Sequence, residues 1–172
     1  MEKTIIIGGK PIVIKASLGA LALYKRQFNE DYLDKIAQKA AGDDQTNEAI
    51  EMTKTGYRLI WAMAKAADPE LLPPVAWLAT LDGAEKDFIT AYAQAQALML
   101  NSAYTGDTKS KGGSGRERIA TEIFFAAAIK AGIGYTAAWD MTIGEFHRLI
   151  DEIIGEPKKD WRWATQEDFD KF

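Results

Sequence analysis

Strand-like alternation is confined to eleven residues near the start, Thr4-Ile5-Ile6-Ile7-Gly8-Gly9-Lys10-Pro11-Ile12-Val13-Ile14. Almost everything after them carries helical periodicity, so any sheet is small and the rest of the fold must be built by helices. Ile5 and Ile7 share one strand face, as do Ile12 and Ile14. Gly8-Gly9 can supply the positive φ of a two-residue hairpin turn. Pro11 cannot donate to a ladder, which makes the second strand an edge there. Two strands alone are marginal in water. The hairpin must therefore lie on the helices as a lid or pair with another chain through its exposed edge.

Ser17 is placed to cap a first helix, with Leu18, Leu21, Tyr24 and Phe28 recurring at helical spacing. Asn29 to Asp31 interrupts it. Tyr32, Leu33, Ile36 and Ala40 mark a second helix ending at Gly42. Residues 48–67 give the widest apolar stripe, through Ile50, Tyr57, Ile60, Trp61 and Ala64, and Asp68-Pro69 stops it. Pro73-Pro74 opens a short helix carrying Val75, Trp77, Leu78 and Leu81. Residues 85–104 follow, with Phe88, Ile89, Tyr92, Ala95, Leu98 and Met99 facing inward.

The stretch Thr105 to Gly115 has no periodicity and the composition of a flexible linker, expected over 106–115. Beyond it, residues 116–130 read as helix with Ile119, Ile123, Phe124 and Ala127 inward and Gly132 as the terminator. A short helix at 136–139 leads to another at 143–154. There Thr142 and Glu145 have the spacing of a capping box, and Gly155 and Pro157 end the helix. The expected fold is mainly α with a small N-terminal β-hairpin, an α+β chain. Its parts are a hairpin and helical bundle over 1–105, the linker, and a short helical module with an aromatic tail over 116–172.

The totals exclude several functions. An apolar fraction of 47% supports a packed core. There are 11 basic and 13 acidic residues up to position 105, and 10 and 12 after it. Neither part is therefore a basic nucleic-acid module. No apolar run approaches the roughly 20 residues of a membrane span, and the N-terminus lacks a signal-peptide pattern. With no cysteine there is no disulfide, thiolate site or thiol nucleophile.

Nothing in the layout sets up catalysis. His147 is the one histidine; pairing with Asp151 at i, i+4 outweighs a catalytic dyad, and one histidine does not make a zinc site. Lys111-Gly112-Gly113-Ser114-Gly115-Arg116 imitates a phosphate loop but has no strand before it and no Lys-Ser/Thr pair after its last glycine. Lys109, Lys111, Arg116 and Arg118 form a small basic patch of the solvated kind. Asp43, Asp44, Glu48 and Glu51 suit a helix N-terminus, not a calcium loop. No catalytic residue, cofactor or metal is expected. Trp61, Trp77 and Trp139 fall in apolar segments and read as core. Trp161 and Trp163 stand amid charges and either fold back or anchor a partner.

Several phrases resemble the tail assembly chaperones of long-tailed phages and prophages, in their extended form. One is the strand pair followed by Ser17-Leu18-Gly19-Ala20-Leu21-Ala22-Leu23-Tyr24-Lys25-Arg26-Gln27-Phe28 and the step Asn29-Glu30-Asp31-Tyr32-Leu33. Others are Leu59 to Asp68, then Pro74-Val75-Ala76-Trp77-Leu78, and the phrases Ala131-Gly132-Ile133 and Met141-Thr142-Ile143-Gly144-Glu145. The match spans most of 3–105 and 116–154; the aromatic tail has no counterpart.

The resemblance implies a non-enzymatic protein of the bacterial host cytoplasm, absent from the finished virion. It would coat the tape measure protein, help recruit tail tube subunits and self-associate, without membrane or nucleic acid. The residues expected to touch the partner are Leu18, Leu21, Tyr24, Phe28, Trp161 and Trp163. The competing reading is a small helical nucleic-acid-associated packaging or regulatory protein of a phage, which the acidic balance of both parts opposes.

Overall fold

The computed structural model describes residues 1–40, 48–81, 83–101 and 121–154. In chain order these form strands β1 (Glu2–Ile7) and β2 (Lys10–Lys15). Helices α1 (Leu18–Phe28), α2 (Tyr32–Ala40), α3 (Glu48–Ala67) and α4 (Pro74–Ala79) follow. The chain then continues through α5 (Glu85–Asn101), α6 (Thr121–Lys130), α7 (Tyr135–Asp140) and α8 (Ile143–Ile154). The expected class holds: mostly helical, with a two-stranded antiparallel hairpin at the N-terminus.

The hairpin closes as its glycines require. Gly8 and Gly9 have φ of 58° and 71°, the pair of positive values that a turn twisting with its strands needs. Ile7 pairs with Lys10, Ile5 with Ile12 and Ile6 with Pro11. Ile5, Ile7 and Ile14 are buried, while Ile6 and Val13 face outward. The buried face rests on the helices, β1 over α5 and β2 over α3. At the turn, the Gly8 N–H donates to Asp87 of α5 at 2.8 Å.

Helix α1 starts where Ser17 Oγ accepts from the Ala20 N–H at 3.2 Å, and ends at Asn29 in the left-handed region, φ 54°. One side packs on α3. Its other side is covered by α6 and α7, so Leu18, Gly19, Ala20, Leu21, Leu23 and Tyr24 are all buried. Two glycines make the close approaches. A Cβ on Gly19 would overlap the Trp139 indole, and one on Gly56 of α3 would lie 2.9 Å from Tyr92 Cγ of α5. The loop after α3 is tied down by Trp61 Nε1 donating to Leu72 O at 2.9 Å and by Lys65 Nζ donating to Leu71 O at 2.6 Å.

The inward faces of two helices differ from the periodicity. In α6 the buried residues are Thr121, Phe124, Phe125 and Ala128, and Ile123 is 54% exposed. In α5 Ala91, Ala95, Leu98 and Met99 are buried, and Ile89 points out. Both helices are apolar around much of their circumference, so sequence periodicity alone did not choose a face. Val75 likewise faces solvent on α4. The caps fared better. Thr142 Oγ1 accepts from the Glu145 N–H at 3.1 Å, and Glu145 Oε2 accepts from the Thr142 N–H at 2.8 Å, the reciprocal box expected. The Thr142 backbone bond holds the Glu145 carboxyl below its usual range.

The described part of the second module is docked on the first. Phe124, Phe125, Ala128, Ala138, Ile143 and Phe146 belong to the same buried cluster as Ile5, Leu21 and Trp61. The Leu18 N–H donates to Met141 O at 2.8 Å, and Lys15 pairs with Asp140 at 2.7 Å. Asp31 joins the two parts most tightly. One oxygen accepts from the Leu33 N–H at 3.1 Å at the start of α2, and the other from the Thr121 N–H at 2.8 Å at the start of α6. Lys25 pairs with the same carboxylate at 3.4 Å. The expected linker and aromatic tail lie outside the described residues.

Candidate functional site

Four of the six residues expected to touch a partner are described, and none is an open contact. Leu18, Leu21 and Tyr24 have no accessible surface. They are corrected to core residues: α1 is sandwiched, and its apolar stripe is used inside the molecule. Phe28 is half-buried, edge-on to Trp61 at 5.7 Å and to Tyr24 at 5.3 Å. The Arg58 guanidinium covers its ring at 5.0 Å, and Arg58 is itself held by Glu30 at 2.8 Å. Trp161 and Trp163 lie outside the described residues.

An open surface appears on the other side of α1. There α1, α6 and α7 leave a groove of about 380 Å³ lined by Ala22, Lys25, Arg26, Glu122, Phe125, Tyr135 and Trp139, with Thr121 at one end. Its wall is aromatic. Phe125 stacks on Tyr135 with centroids 5.0 Å apart, and Trp139 lies 5.8 Å from Tyr135 and 6.1 Å from Phe125. Trp139 is fixed from behind by the gap at Gly19, and Phe125 by its burial in the core. Tyr135 is the free member, 53% exposed.

The rim is polar. Lys25 bonds Glu122 across the groove and reaches Asp31 on its other side. The Glu122 bond, with help from Asp31, raises its pKa against the opposing effect of burial. Arg26 is exposed and has no partner among the described residues. Ile129, one turn beyond Phe125 on α6 and 61% exposed, extends the apolar surface, whereas Ile123 lies on a different side of the helix. Among the described residues, an aromatic wall beside an unpaired Arg26 guanidinium suits an apolar side chain flanked by a carboxylate.

A second, shallower groove runs between α7 and α8 past Ala137, Met141 and Leu149, with Asp140, Glu145, Arg148 and Glu152 around it. His147 is exposed on α8 and lies edge-on to Phe124 at 5.6 Å and Phe146 at 6.0 Å. Its expected pairing with Asp151 falls on a side chain outside the description. No group of three or more potential metal ligands occurs among the described residues, and no described helix is long and apolar enough to cross a membrane.

Sequence reasoning missed the groove because it assigned Trp139 to the core and began the short helix at 136, one residue after Tyr135. The available signal was the run Ile123-Phe124-Phe125-Ala126-Ala127-Ala128-Ile129, apolar on every side and so bound to leave one face open. Comparison with family models, curated proteins and solved structures finds no match to this chain.

Proposed function

We propose that the chain is a non-enzymatic tail assembly chaperone. In this reading it binds and solubilises the tape measure protein and helps recruit tail tube subunits in the host cytoplasm. The observation that carries the reading is the aromatic groove of Phe125, Tyr135 and Trp139, continued along α6 by exposed Ile129. A coating protein needs accessible apolar surface matched to helices, and exposed apolar patches of this kind mark interaction sites. The groove replaces the first-helix stripe as the gripping surface. The identity of the client comes from the resemblance of the short phrases. A client helix rises about 1.5 Å per residue, so one of several hundred residues far outspans a single groove and takes several copies.

Co-expression with the tape measure protein tests this. The client is expected to stay soluble with more than one copy bound. Tyr135→Ala is expected to weaken the complex by roughly 1–4 kcal/mol, the range of interface hot spots, with the fold retained. A client soluble on its own, or a strict one-to-one complex, argues against coating. Recovery of nucleic acid in place of the client would favour a packaging or regulatory protein.

A further inference from the structure

We propose that two copies join through β1, strand edge to strand edge, with α5 packed against its counterpart beneath the enlarged sheet. Two features on one flank of the molecule carry this, and neither depends on the functional reading above.

The first is an open strand edge. The two-residue turn makes Ile7 and Lys10 a hydrogen-bonded pair, so Lys3, Ile5 and Ile7 turn their backbone groups toward β2. The Ala16 N–H donating to Met1 O at 2.8 Å follows the same parity. Thr4 and Ile6 therefore turn their N–H and C=O groups away from the hairpin, where no described residue bonds them. The free edge of β2 is different. Pro11 pairs with Ile6 in a non-hydrogen-bonded position, so its ring stands where an outward donor would be. Proline is one of the devices that blocks strand addition. One edge of the hairpin is closed and the other is open.

The second feature is the outer face of α5. β1 lies over α5 and β2 over α3, with α3 and α5 side by side. The open edge is thus on the α5 flank. There α5 presents Ile89, Thr90, Ala93, Gln96, Ala97 and Leu100, with Ile89 66% and Leu100 40% exposed. No charge occurs from Phe88 to Asn101, in a chain that is 27% charged. A solvated helix face is ordinarily charged, so this one is suited to a neutral, close-packed neighbour.

The spacing selects a second copy as that neighbour. Small Ala93 and Ala97 sit at the middle of the face, and Ile89 and Leu100 at its ends, nearly symmetric about Ala95. A two-fold through that point sets Ala93 against the other copy's Ala97 and Ile89 against its Leu100, which is self-complementary contact. Alanines at the centre let the axes approach to about 8 Å. The same two-fold makes β1 antiparallel to its copy and turns a marginal two-stranded sheet into a four-stranded one. Size then sets the strength. Twelve residues of helix at about 1.5 Å each give a stripe of only about 18 Å. That alone falls short of the roughly 800 Å² per partner of a standard interface. The strand edge adds to it, and the dimer is concentration-dependent, not obligate.

Sedimentation equilibrium of the full chain tests this, and the expected mass rises with concentration toward that of two chains. Ile6→Pro removes an outward donor while leaving the ladder to β2 intact, and is expected to weaken association by roughly tenfold or more, at least 1.4 kcal/mol. Val13→Pro makes the same change on the closed edge and is expected to leave association unaltered. The chain has no cysteine, so Ala93→Cys and Ala97→Cys report directly on the helix contact. A mixture of the two variants is expected to oxidise to the mixed dimer faster than either alone. A monomer at every concentration overturns the proposal, as does a dimer indifferent to Ile6→Pro. If circular dichroism shows that Ile6→Pro does not fold, the cysteine pair decides, and no preference for the mixed product overturns it.

Discussion

Asp31 sits at the step from α1 to α2, and its two carboxylate oxygens start two different helices. Loss of a helix N-cap costs typically about 1 kcal/mol, and here two helix starts share one residue. Asp31→Ala is therefore expected to destabilise the fold by about 1–3 kcal/mol, read as a lower urea midpoint. Tyr24 and Tyr32 present the opposite case. Both are wholly buried, and among the described residues neither hydroxyl meets a partner in hydrogen-bond geometry, although Arg58 and Thr55 stand near Tyr24 and Tyr92 near Tyr32. Burial pushes both pKa values well above the ordinary tyrosine value; at Tyr24 the Glu30 charge adds to the effect and Arg58 opposes it. A folded state that holds an acid neutral keeps its full stability below the unfolded pKa, about 10 for tyrosine, and loses it as pH rises beyond. Alkaline unfolding is expected to start near that pH, with phenolate absorbance rising as helical signal falls. Phenolate absorbance in a still-folded chain would count against it. Tyr32→Phe removes an unsatisfied hydroxyl and is expected to leave stability unchanged or raise it by up to about 1 kcal/mol.

At the level of elements, what could be read from the sequence was what is decided locally. Gly8-Gly9 dictates its turn, Ser17 and Thr142 their caps, and Pro74 a helix start, because each acts within a few residues. The faces of α5 and α6 could not be read, since Ile89 and Ile123 are as apolar as the residues that were buried instead. The groove depended on a contact between residues far apart in the chain, Gly19 with Trp139, for which neither local pattern gives a sign. That contact makes a clear contest of magnitudes. Glycine inside a helix is worse than alanine by about 1 kcal/mol, so propensity favours Gly19→Ala. The added Cβ would meet a rigid indole, and overpacking costs typically 1–3 kcal/mol. Overpacking is expected to win: Gly19→Ala lowers the melting temperature and moves Trp139 toward solvent, seen as a red-shifted tryptophan emission. An unchanged or raised melting temperature would show that α7 yields without cost.

Taken whole, the molecule is assembled around α1, which is covered on one side by α3 and on the other by α6 and α7. The expected division at the linker separates segments of chain, but the described residues on either side share one buried cluster. The groove exists only because the later segment folds back, so the gripping surface and the covering of α1 are one event. This sandwich has a consequence in time. About 120 residues lie between Gly19 and Trp139, and ribosomes add roughly 5–20 residues per second. Each newborn chain therefore passes some 6–24 s with one face of its first helix made and its cover not yet synthesised. For that interval the small-residue surface around Gly19 and Ala22 is open to whatever apolar helix lies nearby, including that of a neighbouring nascent chain on the same message.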